Sequence, residues 1–200
     1  MGRHTVYRLF ESALPLELCD LLMKQGAELS LKQAALRPDD GEDFHDHSIR
    51  ETQVAFWDPS HWVSGLLVHF ASLANRETWN YRISLSRGVQ YGEYGVGGKY
   101  DWHKDEFDQP FGDEAPVQWQ GLSRKLSVVG VLSDPGDYAG GELRFKDTYG
   151  REVSDPALQA AVARRGSIVV FPAYIPHTVT PVTEGKRCSI VSWIIGPPFV

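Results

Sequence analysis

From about residue 78 onward the chain is a succession of short runs rich in Val, Ile, Tyr, Trp and Ser, separated by clusters of Gly, Pro and Asp. β-Branched and aromatic residues suit a pleated, half-buried surface, and the clusters between them are turn chemistry. The pattern predicts strands at Tyr81–Leu85, Val89–Tyr94, Lys99–His103, Lys125–Leu132, Gly141–Phe145, Ser167–Phe171, His177–Thr180 and Arg187–Ile194. Many short strands punctuated in this way form a sandwich or a barrel.

The first part of the chain has a different texture. His4–Phe10 alternates as a short strand, and Glu51–Trp57 reads as another. Leu16, Leu18, Leu21, Leu22 and Ala27 recur at helical spacing within Leu14–Leu31, and Val63, Leu66, Leu67, Phe70 and Leu73 do so within Trp62–Asn75. Lys32–Ile49 between them is polar and rich in turn residues, which predicts a long loop of the kind that serves as a lid or stays unstructured. Helices first and strands afterwards argue for a mainly β, jelly-roll-like core with N-terminal helices on one face. With no repeat and no linker, the economical division is one domain over 1–200, with 1–78 as helical and loop support and 79–200 as the core.

Charge and cysteine content exclude several classes. Twenty Lys and Arg against 26 Asp and Glu leave a net charge of −6, so the surface as a whole draws in neither nucleic acid nor anionic membrane. Cys19 and Cys188 are too few for a disulfide framework or a four-thiolate zinc site and read as two reduced thiols. The first residues lack the apolar core of a signal peptide, and no apolar run approaches the roughly 18 residues of a membrane span. The expectation is a cytoplasmic protein.

Chemistry concentrates in two segments. In Tyr100-Asp-Trp-His-Lys-Asp105, His103 and Asp105 stand two apart; on a strand they would share a face, about 6.7 Å apart at Cα. Lys104 then points the other way. In the C-terminal run, His177 follows a proline in a β-rich stretch, and the turn residues Pro181–Gly185 reverse the chain so that Arg187 returns toward His177. Two imidazoles, one carboxylate and a nearby guanidinium are what a two-His, one-carboxylate iron site with an anionic cosubstrate requires. The glycines of Tyr94–Tyr100 lack dinucleotide spacing and read as a hairpin turn.

These motifs, with Arg-Lys-Leu-Ser-Val128, Gly-Gly-Glu-Leu143, Gly-Ser-Ile-Val-Val-Phe-Pro172 and His-Thr-Val-Thr-Pro-Val182, resemble the Fe(II)/2-oxoglutarate-dependent dioxygenases. The resemblance is to the prolyl 4-hydroxylase-like branch, its small prokaryotic and phage-type members in particular, and covers roughly residues 50 to 200. It implies a double-stranded β-helix (jelly-roll or cupin-like) with Fe(II) on His103, Asp105 and His177, and Arg187 on the far carboxylate of 2-oxoglutarate. Tyr94 corresponds to a tyrosine that reaches the cosubstrate in relatives, and Trp193 to an aromatic near the iron. One departure is Val131, where many relatives carry a cosubstrate-binding tyrosine; Tyr94, Tyr100 or Ser189 could take over that role. O2 is the second cosubstrate, with ascorbate as a reductant. The implied reaction is hydroxylation of a prolyl residue in a peptide or protein, with 2-oxoglutarate cleaved to succinate and CO2. The alternatives are a hydroxylase of a free amino acid or other small metabolite, and a non-catalytic jelly-roll binding module.

Other residues receive plainer readings. Parity puts Arg187, Ser189, Val191 and Trp193 on one face of the last strand, and Cys188, Ile190 and Ile194 on the other with Lys186. Cys188 is therefore an inert packing thiol and Lys186 a poor carboxylate clamp. His45-Asp46-His47 is a rival metal cluster without a distant third ligand, and the acids from Asp101 to Glu114 read as a solvated loop. Long loops around an open metal face choose substrate, which nominates Arg50 and Trp119, beside Trp193, for substrate contact. Oligomeric state is left open.

Overall fold

The structure, a computed structural model, describes residues 6–35 and 46–199. β1 (Arg8–Phe10), α1 (Leu16–Ala27) and β2 (Lys32–Gln33) are followed by β3 (Arg50–Glu51), β4 (Gln53–Trp57) and α2 (Trp62–Thr78). Next come β5 (Leu85–Tyr94), β6 (Lys99–His103), β7 (Ser123–Val131), β8 (Tyr138–Gly140) and β9 (Leu143–Phe145). After α3 (Pro156–Ala163) the chain ends with β10 (Ile168–Pro172), β11 (His177–Val179), β12 (Val182–Gly185) and β13 (Arg187–Gly196).

The strands build a seven-stranded antiparallel sheet in the order β1-β10-β7-β13-β5-β4-β2, and a four-stranded one in the order β3-β6-β11-β9. β12 and β8 form a separate two-stranded pair. Residues before 79 thus supply β1, β2 and β4 to the large sheet as well as the two helices laid on it. Alternation along each strand divides the apolar residues into two cores. On one face of the large sheet, Val89, Tyr91, Leu126, Val128, Ile168, Val170, Cys188 and Ile190 pack against Cys19 and Leu22 of α1 and Val63, Leu67 and Ala71 of α2. On the other, Tyr94, Val129, Val169 and Phe171 meet Leu143, Phe145 and Val179 of the small sheet. α1 lies so close to the sheet that a Cβ on Gly26 would stand 2.5 Å from the Tyr91 ring.

Several local readings change. The expected strand at Val89–Tyr94 extends back to Leu85 as β5, while Tyr81–Ser84 forms no strand. The glycine-rich turn after Tyr94 does not close a hairpin: it carries the chain from the large sheet to the small one, its Gly97 amide donating to the Val182 carbonyl and its Gly98 carbonyl accepting from the Val182 amide. Val182–Gly185 is a strand rather than a turn, because the buried Val182 anchors it beside β8. α3 was not expected from apolar spacing. Its start is set by Asp155, whose carboxylate accepts from the Ala157 and Leu158 amides, with Pro156 in the first turn. Of the Lys32–Ile49 loop, residues 36–45 lie outside the described residues. What is described there includes β2 and a turn at 46–49 that leads into β3.

Candidate metal centre

Antiparallel pairing of β6 with β11 sets His103 directly opposite His177. Asp105 lies beyond the end of β6, not on it, and its amide and that of Glu106 both donate to the Ala173 carbonyl. That bend, rather than strand parity, aims the carboxylate between the two imidazoles. Asp105 Oδ1 lies 3.8 Å from His103 Nε2, and Oδ2 lies 3.5 Å from His177 Nε2. One ligand atom from each residue falls within 4.8 Å of the other two.

The tautomers follow from the outer hydrogen bonds. His103 Nδ1 is 2.7 Å from the Asp101 carbonyl and His177 Nδ1 is 3.0 Å from that of Ile175. A carbonyl oxygen only accepts, so both Nδ1 atoms carry the proton and both Nε2 lone pairs face the centre. Burial, helped by the neighbouring His177, pushes the His103 pKa down to about 3, so the ring is neutral near pH 7. Burial would raise the Asp105 pKa, but His177, His103, Arg124 and the Ser127 hydroxyl outweigh it and hold the carboxyl at about 2. Two imidazole nitrogens and an ionised carboxylate, converging from three sides, suit a divalent cation. Ligand atoms bound at about 2.1 Å stand roughly 3 to 4 Å apart, so these three need little movement to share one ion.

The surroundings hold this set in place. Ser127 Oγ donates to Asp105 Oδ2 at 2.6 Å, and Arg124 donates to the Asp105 carbonyl at 3.0 Å. Phe145 and Phe171 wall His177 at ring-centroid distances of 6.4 and 4.7 Å. Tyr100 lies flat on the His103 ring, and the Arg50 guanidinium sits 4.5 Å from the Tyr100 centroid. His103 retains 14% of its side-chain exposure against 6% for His177, so the centre opens on the His103 side.

Arg187 faces the same interior as expected, on β13 opposite Tyr94, with its guanidinium 5.3 Å from the Tyr94 ring. It is 2% exposed and donates to Ser189 Oγ at 3.2 Å, and among the described residues it has no carboxylate partner. A cavity of about 240 Å³ adjoins it, lined by Val131, Tyr138, Gly141, Leu143 and Val162 among others. A buried guanidinium without an anion is a costly arrangement in a folded protein, and the cavity beside it can admit one.

The remaining candidates separate cleanly. Tyr94 and Ser189 touch or neighbour Arg187, whereas Tyr100 stacks on His103 of the cluster. Trp193 lies under Arg124, at 4.4 Å, while Trp119 stacks on Arg87 at 4.6 Å. Arg50 donates to Gln90 Oε1 at 3.2 Å. Lys186 is taken up by Glu93 at 3.0 Å, and Cys188 is fully buried against the Tyr91 hydroxyl, as their parity required. In the rival cluster His47 bonds to Glu51, Asp46 accepts from Ser48, and His45 lies outside the described residues. Sequence reasoning missed Ser127 and Arg124. Ser127 shares its strand parity with Val129 and Val131, the one signal that could have placed it on the inner face.

Comparison with known proteins agrees with this geometry. The family model described as the 2OG-Fe(II) oxygenase superfamily matches residues 89–195. A PKHD-type hydroxylase of Caulobacter sp. (strain K31) is 38% identical over 104 residues, 52% of this chain and 41% of that protein. The chain spans less than half the length of the curated relatives it matches. Among solved structures, a Pseudomonas putida prolyl-4-hydroxylase superposes with a TM-score of 0.66 at 23% identity, covering 94% of this chain and 92% of that one. A Trichoplax adhaerens prolyl hydroxylase, solved with a hypoxia inducible factor peptide fragment, gives 0.67 at 18% identity over 96% and 84%. The two facing sheets are thus those of the double-stranded β-helix fold.

Proposed function

Because the chain belongs to the 2OG-Fe(II) oxygenase superfamily, we propose that it is an Fe(II)- and 2-oxoglutarate-dependent hydroxylase acting on a prolyl residue of a peptide or protein. The observation that carries this reading is the pairing of the His103, Asp105 and His177 cluster with a buried Arg187 that has no carboxylate partner among the described residues. The first supplies three of an iron's ligands and leaves its other side open. The second is a fixed cation at the back of the same interior, where a dicarboxylate can be anchored by its far end.

Each side chain has a definable task. His103 and His177 present Nε2 because Asp101 and Ile175 hold their Nδ1 protons. Ser127 and Arg124 fix the carboxylate and backbone of Asp105, which limits how far the third ligand can stray. Arg187, with Ser189, orients the cosubstrate, and the wall of Val129, Phe145, Phe171 and Val179 keeps water out. Bound iron with 2-oxoglutarate and O2 supplies the oxidising chemistry, one oxygen atom entering a substrate C–H bond as the cosubstrate is cleaved to succinate and CO2. The prolyl substrate is supported by the printed names of the relatives and structural neighbours. Two free buried thiols, Cys19 and Cys188, support a reducing, cytoplasmic location. No helix among the described residues is long and apolar enough to cross a membrane.

The test is anaerobic addition of Fe(II) and 2-oxoglutarate, then admission of air with proline-containing peptides. A visible absorption band on addition, succinate in air and a peptide mass gain of one oxygen are expected. A band and succinate without oxidised peptide, but with oxidised free proline, would move the substrate to small metabolites. Neither band nor succinate would leave a binding module.

A further inference from the structure

Arg124 fixes the Asp105 backbone, but the positive charge that it and Arg50 place at the mouth of the metal centre has no role assigned so far. Arg50 and Arg124 flank the triad, the first through the Tyr100 ring that lies on His103, the second through the Asp105 carbonyl. Arg124 is held between two aromatic rings, 4.3 Å from that of Phe107 and 4.4 Å from that of Trp193. Arg50 bonds to the neutral Gln90. Among the described residues neither makes an ion pair with an Asp or Glu side chain within 4 Å, and the Nε atoms of both are buried without a hydrogen-bond partner. Arg87 adds a third guanidinium, 4.6 Å from both Phe111 and Trp119.

No Asp or Glu side chain among the described residues pairs with Arg50 or Arg124. Asp101, Asp113 and Glu114 are exposed, whereas Arg50 and Arg124 are half-buried. A charge count sharpens the point. A divalent iron with Asp105, and Arg187 with a doubly charged 2-oxoglutarate, sum to zero, so Arg50 and Arg124 remain as surplus positive charge once the centre is loaded. A folded protein keeps half-buried cations crowded at an open site when a ligand supplies the opposite charge.

We propose that the mouth of the metal centre takes a carboxylate of the substrate, held between the guanidiniums of Arg50 and Arg124 with the aromatic rings of Phe107 and Trp193 as its walls. The inference rests on the hydroxylase reading and narrows its substrate class to anionic prolyl compounds. The carboxylate could come from an Asp or Glu side chain beside the proline, from a C-terminal proline, or from a free amino acid. Planar two-pronged donors suit any of them, and the shared chemistry is the carboxylate.

The test uses the intact chain loaded with Mn(II) and 2-oxoglutarate, with binding followed by tryptophan fluorescence. Three matched pairs are compared: peptides with Glu or Gln next to proline, peptides ending in proline as acid or amide, and L-proline against L-prolinamide. In the arm that matches the true source, the carboxylate member should bind about tenfold tighter or better, the worth of one charge-assisted hydrogen-bonded contact. Arg50→Gln should shrink that ratio to near unity, Arg50→Lys should retain most of it, and Arg50→Glu should turn the preference toward a Lys-bearing peptide. Because each readout is a ratio within one protein, a general loss of affinity does not mimic it. Equal binding of acid and amide in all three arms, binding of none of the probes, or a ratio untouched by Arg50→Gln, would overturn the inference. Succinate release with Fe(II) in air reports on the hydroxylase reading separately, since it depends on the triad and Arg187 and not on substrate charge.

Discussion

The two faces of β13 show how one strand serves folding and chemistry at once. Its backbone is bonded to β5 on one side and β7 on the other, so neither face needs its side chains to complete the sheet. Toward the helices it presents Cys188, Ile190, Ser192 and Ile194, all fully or nearly fully buried. Toward the small sheet it presents Arg187, Ser189, Val191 and Trp193. The helix side closes its own polar accounts: Ser192 Oγ meets Ser86 Oγ at 2.8 Å and the Gly88 carbonyl at 2.9 Å. The inner side does not. Among the described residues the polar and ring partners of Arg187 are a hydroxyl and a tyrosine ring, with no carboxylate, and the indole nitrogen of Trp193 is buried with no partner. Buried polar groups in native proteins are nearly all satisfied, so a face that leaves them wanting is one shaped for a ligand.

If that contrast is real, substitutions on the two faces should fail in different ways. The largest loss belongs to the proposed metal ligands. His177→Ala or Asp105→Ala should reduce turnover to background and abolish iron retention measured on the desalted protein, while the circular dichroism spectrum is unchanged. Next is Ile190→Ala on the helix face. Truncating a fully buried branched side chain costs roughly 2–5 kcal/mol, read as a lowered urea midpoint, and the KM for 2-oxoglutarate of the folded fraction should not move. Arg187→Gln should do the reverse. Loss of a charge-assisted contact predicts a KM for 2-oxoglutarate raised by about ten- to a hundredfold. The apoprotein should be no less stable, since the guanidinium has no carboxylate to lose. Destabilisation by Arg187→Gln matching that of Ile190→Ala would erase the contrast.

The sequence carried this division because strand parity is a local property. Alternation alone put Cys188 and Ile190 opposite Arg187 and Ser189, and the residue types at 103, 105, 177 and 187 marked the chemistry. What parity cannot report is which strand lies across the gap. Ser127 and Arg124 reach Asp105 only because β7 is neighbour to β10 and because Asp105 leaves its strand to bond with Ala173 just past the end of β10. Both facts are set by long-range register rather than by spacing. α3 was hidden for another reason: Val162 is its only fully buried residue, so no apolar stripe announces it, and the Asp155-Pro156 start signal stands alone. β8 and β12 are three and four residues long, too short for alternation to stand out from a turn.

The smallest effect tests the contrast at its boundary. Gly141 lies between β8 and β9 at φ +63, and a Cβ there would stand 2.9 Å from Arg187 Cδ, 3.0 Å from Val182 Cγ2 and 3.4 Å from the Tyr138 ring. Alanine in that left-handed conformation costs about 1 kcal/mol before any contact is counted. The added methyl then presses on the stem of Arg187, and a long flexible side chain yields before the backbone does. Gly141→Ala should therefore raise the KM for 2-oxoglutarate several-fold, with kcat and iron retention kept and only a modest fall in the thermal midpoint. Gly130 is the control, because a Cβ there would meet Ile190 Cγ1 at 2.8 Å on the helix face. Gly130→Ala should lower the midpoint and leave KM alone. If both variants shift KM alike, the two faces of the sheet are mechanically coupled, and the inner one cannot be treated as a separately tuned binding surface.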